Sequence, residues 1–176
     1  MRNNKITIKA MAFGAVMAAV YVALTLINPL SFGNVQLRFS EIMVLFCFYN
    51  PIYCVPMILG CFIANLIGSP FPMDIVFGTL GTALAVFPMS RIKNMWISSL
   101  MPVVTNAICV GVLLTFFVPD VGGSLFINIG FVGLGQLIVV TLIGVPLFKF
   151  GVEKNKRFME IIQNKSSERD IHKNGF

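Results

Sequence analysis

The chain has 176 residues, of which 57% are hydrophobic and only 11% charged, whereas a soluble domain carries about 25% charged residues. That balance excludes water as the main solvent and leaves little room beside a membrane domain for a soluble nucleotide-hydrolysing unit. The net charge of +6 invites a nucleic-acid reading, but the basic residues gather in the N-terminal segment, at Arg91 and Lys93, and in the C-terminal tail, which is a membrane topology signal and not a phosphate-tracking surface.

The expected fold is an all-α integral membrane protein forming one membrane domain over residues 1–176. The opening MRNNKITIKA leads into an apolar run of nearly the 20 or so residues that a spanning helix needs. No small-residue cleavage site precedes the next polar stretch, so this run is read as a retained first span, about 8–28, and not as a signal peptide. It ends at Asn28-Pro29. The connection Pro29–Ser40, with Gly33, Asn34, Gln36 and Arg38, is too long and polar for a minimal turn and is a candidate lid or binding loop.

Residues 42–67 read either as one long helix or as two short ones broken at Asn50-Pro51. Proline lacks an amide donor and pushes the residue before it out of helical geometry. Charge gives an independent test. With a break there are six spans, at about 8–28, 40–50, 51–68, 73–90, 96–118 and 125–150, followed by a cytoplasmic tail over 151–176. Twelve of the 13 Lys and Arg residues then lie in the cytoplasm with both termini, and Arg38 alone lies outside. Without the break, Arg91 and Lys93 fall outside. Six helices are therefore expected, the second and third short or tilted, because about nine residues reach only about 13 Å. The tail carries no motif and reads as a solvated helix or a disordered segment.

An ionisable group at mid-depth in a bilayer costs roughly 2.5–3.5 kcal/mol on insertion scales, and so faces a bundle interior or a cavity. In the six-span topology the outer helix ends collect Asn28, Asn34, Gln36, Arg38, Ser40, Glu41, Asn65, Asp74, Thr115, Asn128 and Gln136, with Asn106 nearer mid-depth. The candidate ligand-binding set is Arg38, Glu41, Asn65, Asp74, Asn106 and Gln136. Carboxylates accept from ring N–H and amino groups and pair with amines, and carboxamides read a heterocycle edge. Structural alternatives stand beside each. Arg38 and Glu41, three apart, are spaced for an ion pair on one helical turn. Asp74, after Pro70-x-Pro72, is placed to cap a helix, and the carboxamides suit interhelical hydrogen bonds. Asp120, in VPDVGG, reads as a turn residue.

Enzyme chemistry finds no support. The cysteines Cys47, Cys54, Cys61 and Cys109 form no C-x-x-C, and the one histidine, His172, lies in the tail. No metal or cofactor is expected. There is no Walker-type loop and no Ser-His-Asp or H-E-x-x-H pattern. A Glu41–Asp74 acid-base pair is conceivable, but nothing fixes the separation of the two. In the first helix, AMAFGAVMAAVYVA, Gly14, Ala15, Ala19 and Ala23 form part of a smooth strip. Such a strip serves either packing inside the bundle or docking of another membrane protein.

The run VQLRFSE, the block NPIYCVPMILGCFIANLIGSPFPMDIVFGTLGT and the alanine-rich first helix resemble the QueT family of queuosine-precursor transporters. The resemblance covers nearly all of 8–150, with its strongest marks at Arg38–Glu41, Gly60-x-x-x-Ala64-Asn65 and Asp74-Ile75-Val76-Phe77-Gly78-Thr79. It implies a six-helix substrate-capture subunit (S-component) of an energy-coupling factor importer in a bacterial cell membrane. The implied ligand is a deazaguanine base such as the aminomethyl queuosine precursor or queuine, or else another vitamin-like heterocycle. The implied partners are a membrane coupling protein and two ATPase subunits, so ATP hydrolysis falls on other chains. Ala15-x-x-x-Ala19 and Ala19-x-x-x-Ala23 match the spacing of the coupling surface of such subunits.

Overall fold

A computed structural model of the protein describes residues 8–32, 36–118 and 123–163. Asn34, Asp120 and the tail from residue 164 onward, including His172, lie outside the described residues. The described chain is helical and contains no strand.

Helix α1 spans Ile8–Ile27 and stops before Asn28-Pro29, followed by a 3-10 turn, Pro29–Phe32. A 3-10 helix, Phe39–Leu45, runs directly into α2, Phe46–Tyr49. The helical path then breaks at Asn50, which is extended at φ −153° and ψ 120°. Pro51 explains the break, having no N–H to offer the preceding turn. The Asn50 side chain accepts from the Ile52 amide at 3.2 Å and caps the next turn, Pro51–Tyr53, which leads into α3, Cys54–Gly68.

Helix α4 covers Asp74–Met89 and α5 covers Met95–Phe117, the latter capped by Asn94 accepting from the Trp96 amide at 3.0 Å. Helix α6, Leu125–Gln136, continues through a π-helical segment, Leu137–Gly144, then α7, Val145–Leu147, and a second π-helical stretch, Phe148–Val152. Among the described residues three helical stretches are long and apolar enough to cross a membrane: Pro51–Gly68, Met95–Phe117 and Leu125–Val152. Three further apolar helices, Met11–Ile27, Phe39–Tyr49 and Asp74–Met89, are shorter.

Helices α1, α3, α4, α5 and α6 pack in series: α1 on α3, α3 on α4, α4 on α5 and α5 on α6. The 3-10 helix Phe39–Leu45 is inserted between α1 and the π-helical segment Leu137–Gly144. This places Ser40, Glu41, Val44 and Leu45 in the interior. Gly60 allows the close approach of α3 to α1, since a Cβ there would stand 3.2 Å from the Ala18 carbonyl and from Tyr21 Cβ. Large apolar side chains such as Leu24, Leu66, Phe87, Phe116 and Phe150 face outward, as a lipid-solvated surface requires.

The tail differs from expectation in its first part. Helix α8, Lys156–Ile162, folds back onto the bundle. Its Ile162 is buried, and the Ile162 carbonyl accepts from Asn50 Nδ2 at 3.2 Å and Tyr53 OH at 3.0 Å. Phe158 meets Phe13 and Phe46 edge-on at 6.3 and 6.4 Å between ring centroids. A short, charged helix that looks solvated in sequence gains order from apolar and polar partners more than a hundred residues away.

Candidate functional site

The six candidate ligand-binding residues, Arg38, Glu41, Asn65, Asp74, Asn106 and Gln136, are all buried, at 3% exposure or less, whereas Asn28 and Thr115 are half-buried. The buried residues fall into two linked groups, joined by the Arg38–Glu41 stretch and by one face of α4.

The first group is Arg38, Asp74 and Asn65. Arg38 is the extended residue before the 3-10 helix, at φ −90° and ψ 98°. Its Nη2 donates to Asp74 Oδ2 at 2.7 Å, its Nε donates to the Ser31 carbonyl at 2.8 Å, and its guanidinium lies over the Phe32 ring at 5.0 Å. Asp74 opens α4, and Asn65, near the end of α3, donates Nδ2 to the Asp74 carbonyl at 3.1 Å. These groups converge over Gly78: a Cβ there would lie 2.7 Å from Asn65 Nδ2 and 3.1 Å from Asp74 Oδ1. Glycine is what lets three polar side chains rest against α4.

Two structural alternatives are thereby corrected. Arg38 pairs with Asp74 and not with Glu41, because its extended backbone lies outside the helical turn to which the three-residue spacing rule applies. Asp74 is not a cap: Met73 holds that position, no side-chain cap bond forms there, and the Asp74 carboxylate is given to Arg38.

The second group centres on Glu41, in the first turn of the 3-10 helix. Tyr21 OH donates to Glu41 Oε1 at 2.5 Å, and Asn106 Nδ2, from the middle of α5, reaches Oε2 at 3.5 Å. Asn106 Oδ1 rests against Gly81 of α4. Glu41 thus takes these hydrogen bonds from neutral donors, while the Arg38 charge is spent on Asp74. A buried charge balanced only by neutral dipoles is costly.

Gln136, the last residue of α6, is 2% exposed, and its Oε1 has no hydrogen-bond partner among the described residues. Asn65 Oδ1, Asp74 Oδ1 and Asn106 Oδ1 share that condition. All are acceptors. Each unpaired buried acceptor costs about 1–3 kcal/mol, so a ligand rich in donors is the natural complement. Asn128, by contrast, donates to Thr115 Oγ1 at 3.0 Å and ties α6 to α5.

The sequence reading missed Tyr21. The ring hides in an apolar helix, and only its hydroxyl, one turn before Thr25, marks a polar face. Thr25 and Ser40 share a hydroxyl–hydroxyl bond of 2.6 Å, which extends that face.

On α1 the small residues divide. Gly14 is buried against Pro56 of α3, so it packs within the protein. Ala15, Ala19 and Ala23 are exposed. Beside them Met11, Ala15, Ala18, Ile52, Val55 and Leu59 line an apolar groove of about 420 Å³.

Membrane-length apolar helices around a buried, acceptor-rich polar centre define a polytopic membrane protein with an internal polar site. The sequence profile of the QueT transporter family matches residues 11–152, and the chain belongs to that family. It is 33% identical over 87 residues to a protein of Lactococcus lactis subsp. cremoris named Queuosine precursor transporter QueT; the match covers 46% of this chain and 51% of that protein, about half its length. No solved structure matches the chain.

Proposed function

We propose that this protein is the substrate-capture subunit of an energy-coupling factor importer and binds a deazaguanine precursor of queuosine from outside the cell. The observation that carries the reading is the chemistry around Glu41. Its carboxylate is held by Tyr21 and Asn106, both neutral, and the buried oxygens Asn65 Oδ1, Asp74 Oδ1, Asn106 Oδ1 and Gln136 Oε1 have no donor among the described residues. A guanine-like edge supplies a ring N–H and an exocyclic amine to a carboxylate, and an aminomethyl group adds a cation. The name of the Lactococcus relative points to the same ligand class.

In this reading Arg38, Glu41, Asn65, Asp74, Asn106 and Gln136 line the ligand site, and the connection Pro29–Ser40 is its lid or binding loop. Gln36, in the lid, is held at φ 46°, a left-handed conformation that is strained for a non-glycine residue. The six apolar segments each cross the plasma membrane, with both termini and the Arg91–Lys93 loop in the cytoplasm; the distribution of the 13 basic residues supports this. The exposed Ala15, Ala19 and Ala23 and the neighbouring groove dock the membrane coupling protein, whose two ATPase partners energise transport. The protein itself catalyses no reaction.

Calorimetric titration of the purified protein against a panel of deazapurines and B-vitamins tests this. Saturable binding of an aminomethyl deazaguanine is expected. Binding of a vitamin and no deazapurine would replace the substrate assignment.

A further inference from the structure

Tyr21 is placed to do more than fill the core. Its side chain is fully buried, and α3 crowds it: Tyr21 Cβ and Cδ1 stand 3.2 and 3.3 Å from where a Cβ on Gly60 would lie. The ring thus packs closely on the α3 backbone at Gly60, and its hydroxyl is engaged by Glu41. That hydroxyl donates to Glu41 Oε1 at 2.5 Å, while the hydrogen bond to Oε2 among the described residues, from Asn106 Nδ2, is 3.5 Å long. Hydrogen bonds of that length are weak. One carboxylate oxygen is pinned and the other is held loosely. One helical turn on, Thr25 donates to the Tyr21 carbonyl at 2.8 Å and its hydroxyl is bonded to Ser40 at 2.6 Å. Helix α1 therefore grips Ser40 and Glu41 by two successive polar side chains.

We propose that Tyr21 is a positioning residue that sets the ligand specificity of the site: by pinning Glu41 Oε1 it aims Oε2 at an N–H donor of the bound ring. A carboxylate offers about four lone-pair sites, and a free one rotates to suit many partners. A pinned one rewards a donor at one place only. The selected chemistry is a planar heterocycle that carries a ring N–H beside an exocyclic amine. This deepens the proposed function and rests on its reading of the site as a ligand pocket.

The test compares two probes, an aminomethyl deazaguanine and the same ring without its exocyclic amine, by titration calorimetry. The wild type is expected to favour the first. Tyr21→Phe keeps the ring and removes the donor; affinity for the first probe should fall about tenfold or more, the scale of a hydrogen bond to a charged group, and the preference between probes should shrink. In a double-mutant cycle Tyr21→Phe should add little to Glu41→Gln, because both act through one carboxylate. A preserved preference, or two independent, additive losses, would overturn the assignment of Tyr21. Wild-type protein that binds neither probe would overturn the underlying reading of the site, and this inference with it. If Tyr21→Phe does not fold, 3-fluorotyrosine at position 21 keeps the hydroxyl and changes its donor strength; an unchanged preference between probes would then count against the proposal.

Discussion

Arg38 and Asp74, 36 residues apart, form an ion pair of 2.7 Å in which both side chains are almost wholly buried. The same guanidinium holds the Ser31 carbonyl and covers Phe32. One side chain thus ties the connection after α1 to the first turn of α4. Removing one partner of a buried pair costs about 3–5 kcal/mol, because the other is left uncompensated. Asp74→Asn is therefore expected to lower the thermal unfolding midpoint in detergent clearly, although asparagine caps helices as well as aspartate does. A wild-type midpoint would restore the capping role that the geometry denies.

Gly78 gives a second, more local expectation. A methyl group there would come within 2.7 Å of Asn65 Nδ2 and 3.1 Å of Asp74 Oδ1. Gly78→Ala should displace both side chains and weaken ligand binding, even though alanine is the better helix former by about 1 kcal/mol. If affinity survives while stability rises, the convergence over Gly78 has no part in recognition.

Topology can be read by single-cysteine labelling, since the four native cysteines are buried. Lys93 and Ser124 are both exposed, one in the loop between α4 and α5 and the other just before α6. Lys93→Cys should be shielded from an impermeant maleimide in intact cells, and Ser124→Cys should react. The reverse pattern would sink the six-span arrangement.

The exposed strip of α1 separates docking from folding. Ala15→Leu and Ala19→Leu should leave ligand affinity intact and reduce uptake in cells that contain the coupling module. Equal loss of binding would show that the strip serves the fold; unimpaired uptake would remove it from the docking surface.

What the sequence made legible was local or solvent-driven. The break at Asn50-Pro51 follows from one missing amide, and the residues Arg38, Glu41, Asn65, Asp74 and Asn106 stood out because charge and carboxamide are costly among apolar neighbours. Their pairing was not legible. The spacing of Arg38 and Glu41 suggested partners, whereas the true partner of Arg38 comes from another helix and is reached only because Arg38 itself lies outside the helical turn. Tyr21 was hidden for a related reason: an aromatic in an apolar run looks like core or lipid-facing filler, and its hydroxyl acquires meaning only when Glu41 is brought beside it. The π-helical segment Leu137–Gly144 has no proline within it and left no readable mark on the hydrophobic pattern.

Glu41 is the proposed acceptor for the ligand, and titration calorimetry of an aminomethyl deazaguanine into wild-type protein and Glu41→Gln tests that role most directly. Glutamine keeps the shape but replaces one acceptor oxygen by a donor. A charge-assisted hydrogen bond is worth roughly 1.5–3 kcal/mol, so affinity should fall about ten- to a hundredfold while the unfolding midpoint moves little. Wild-type affinity in Glu41→Gln would contradict the account, whatever its effect on stability.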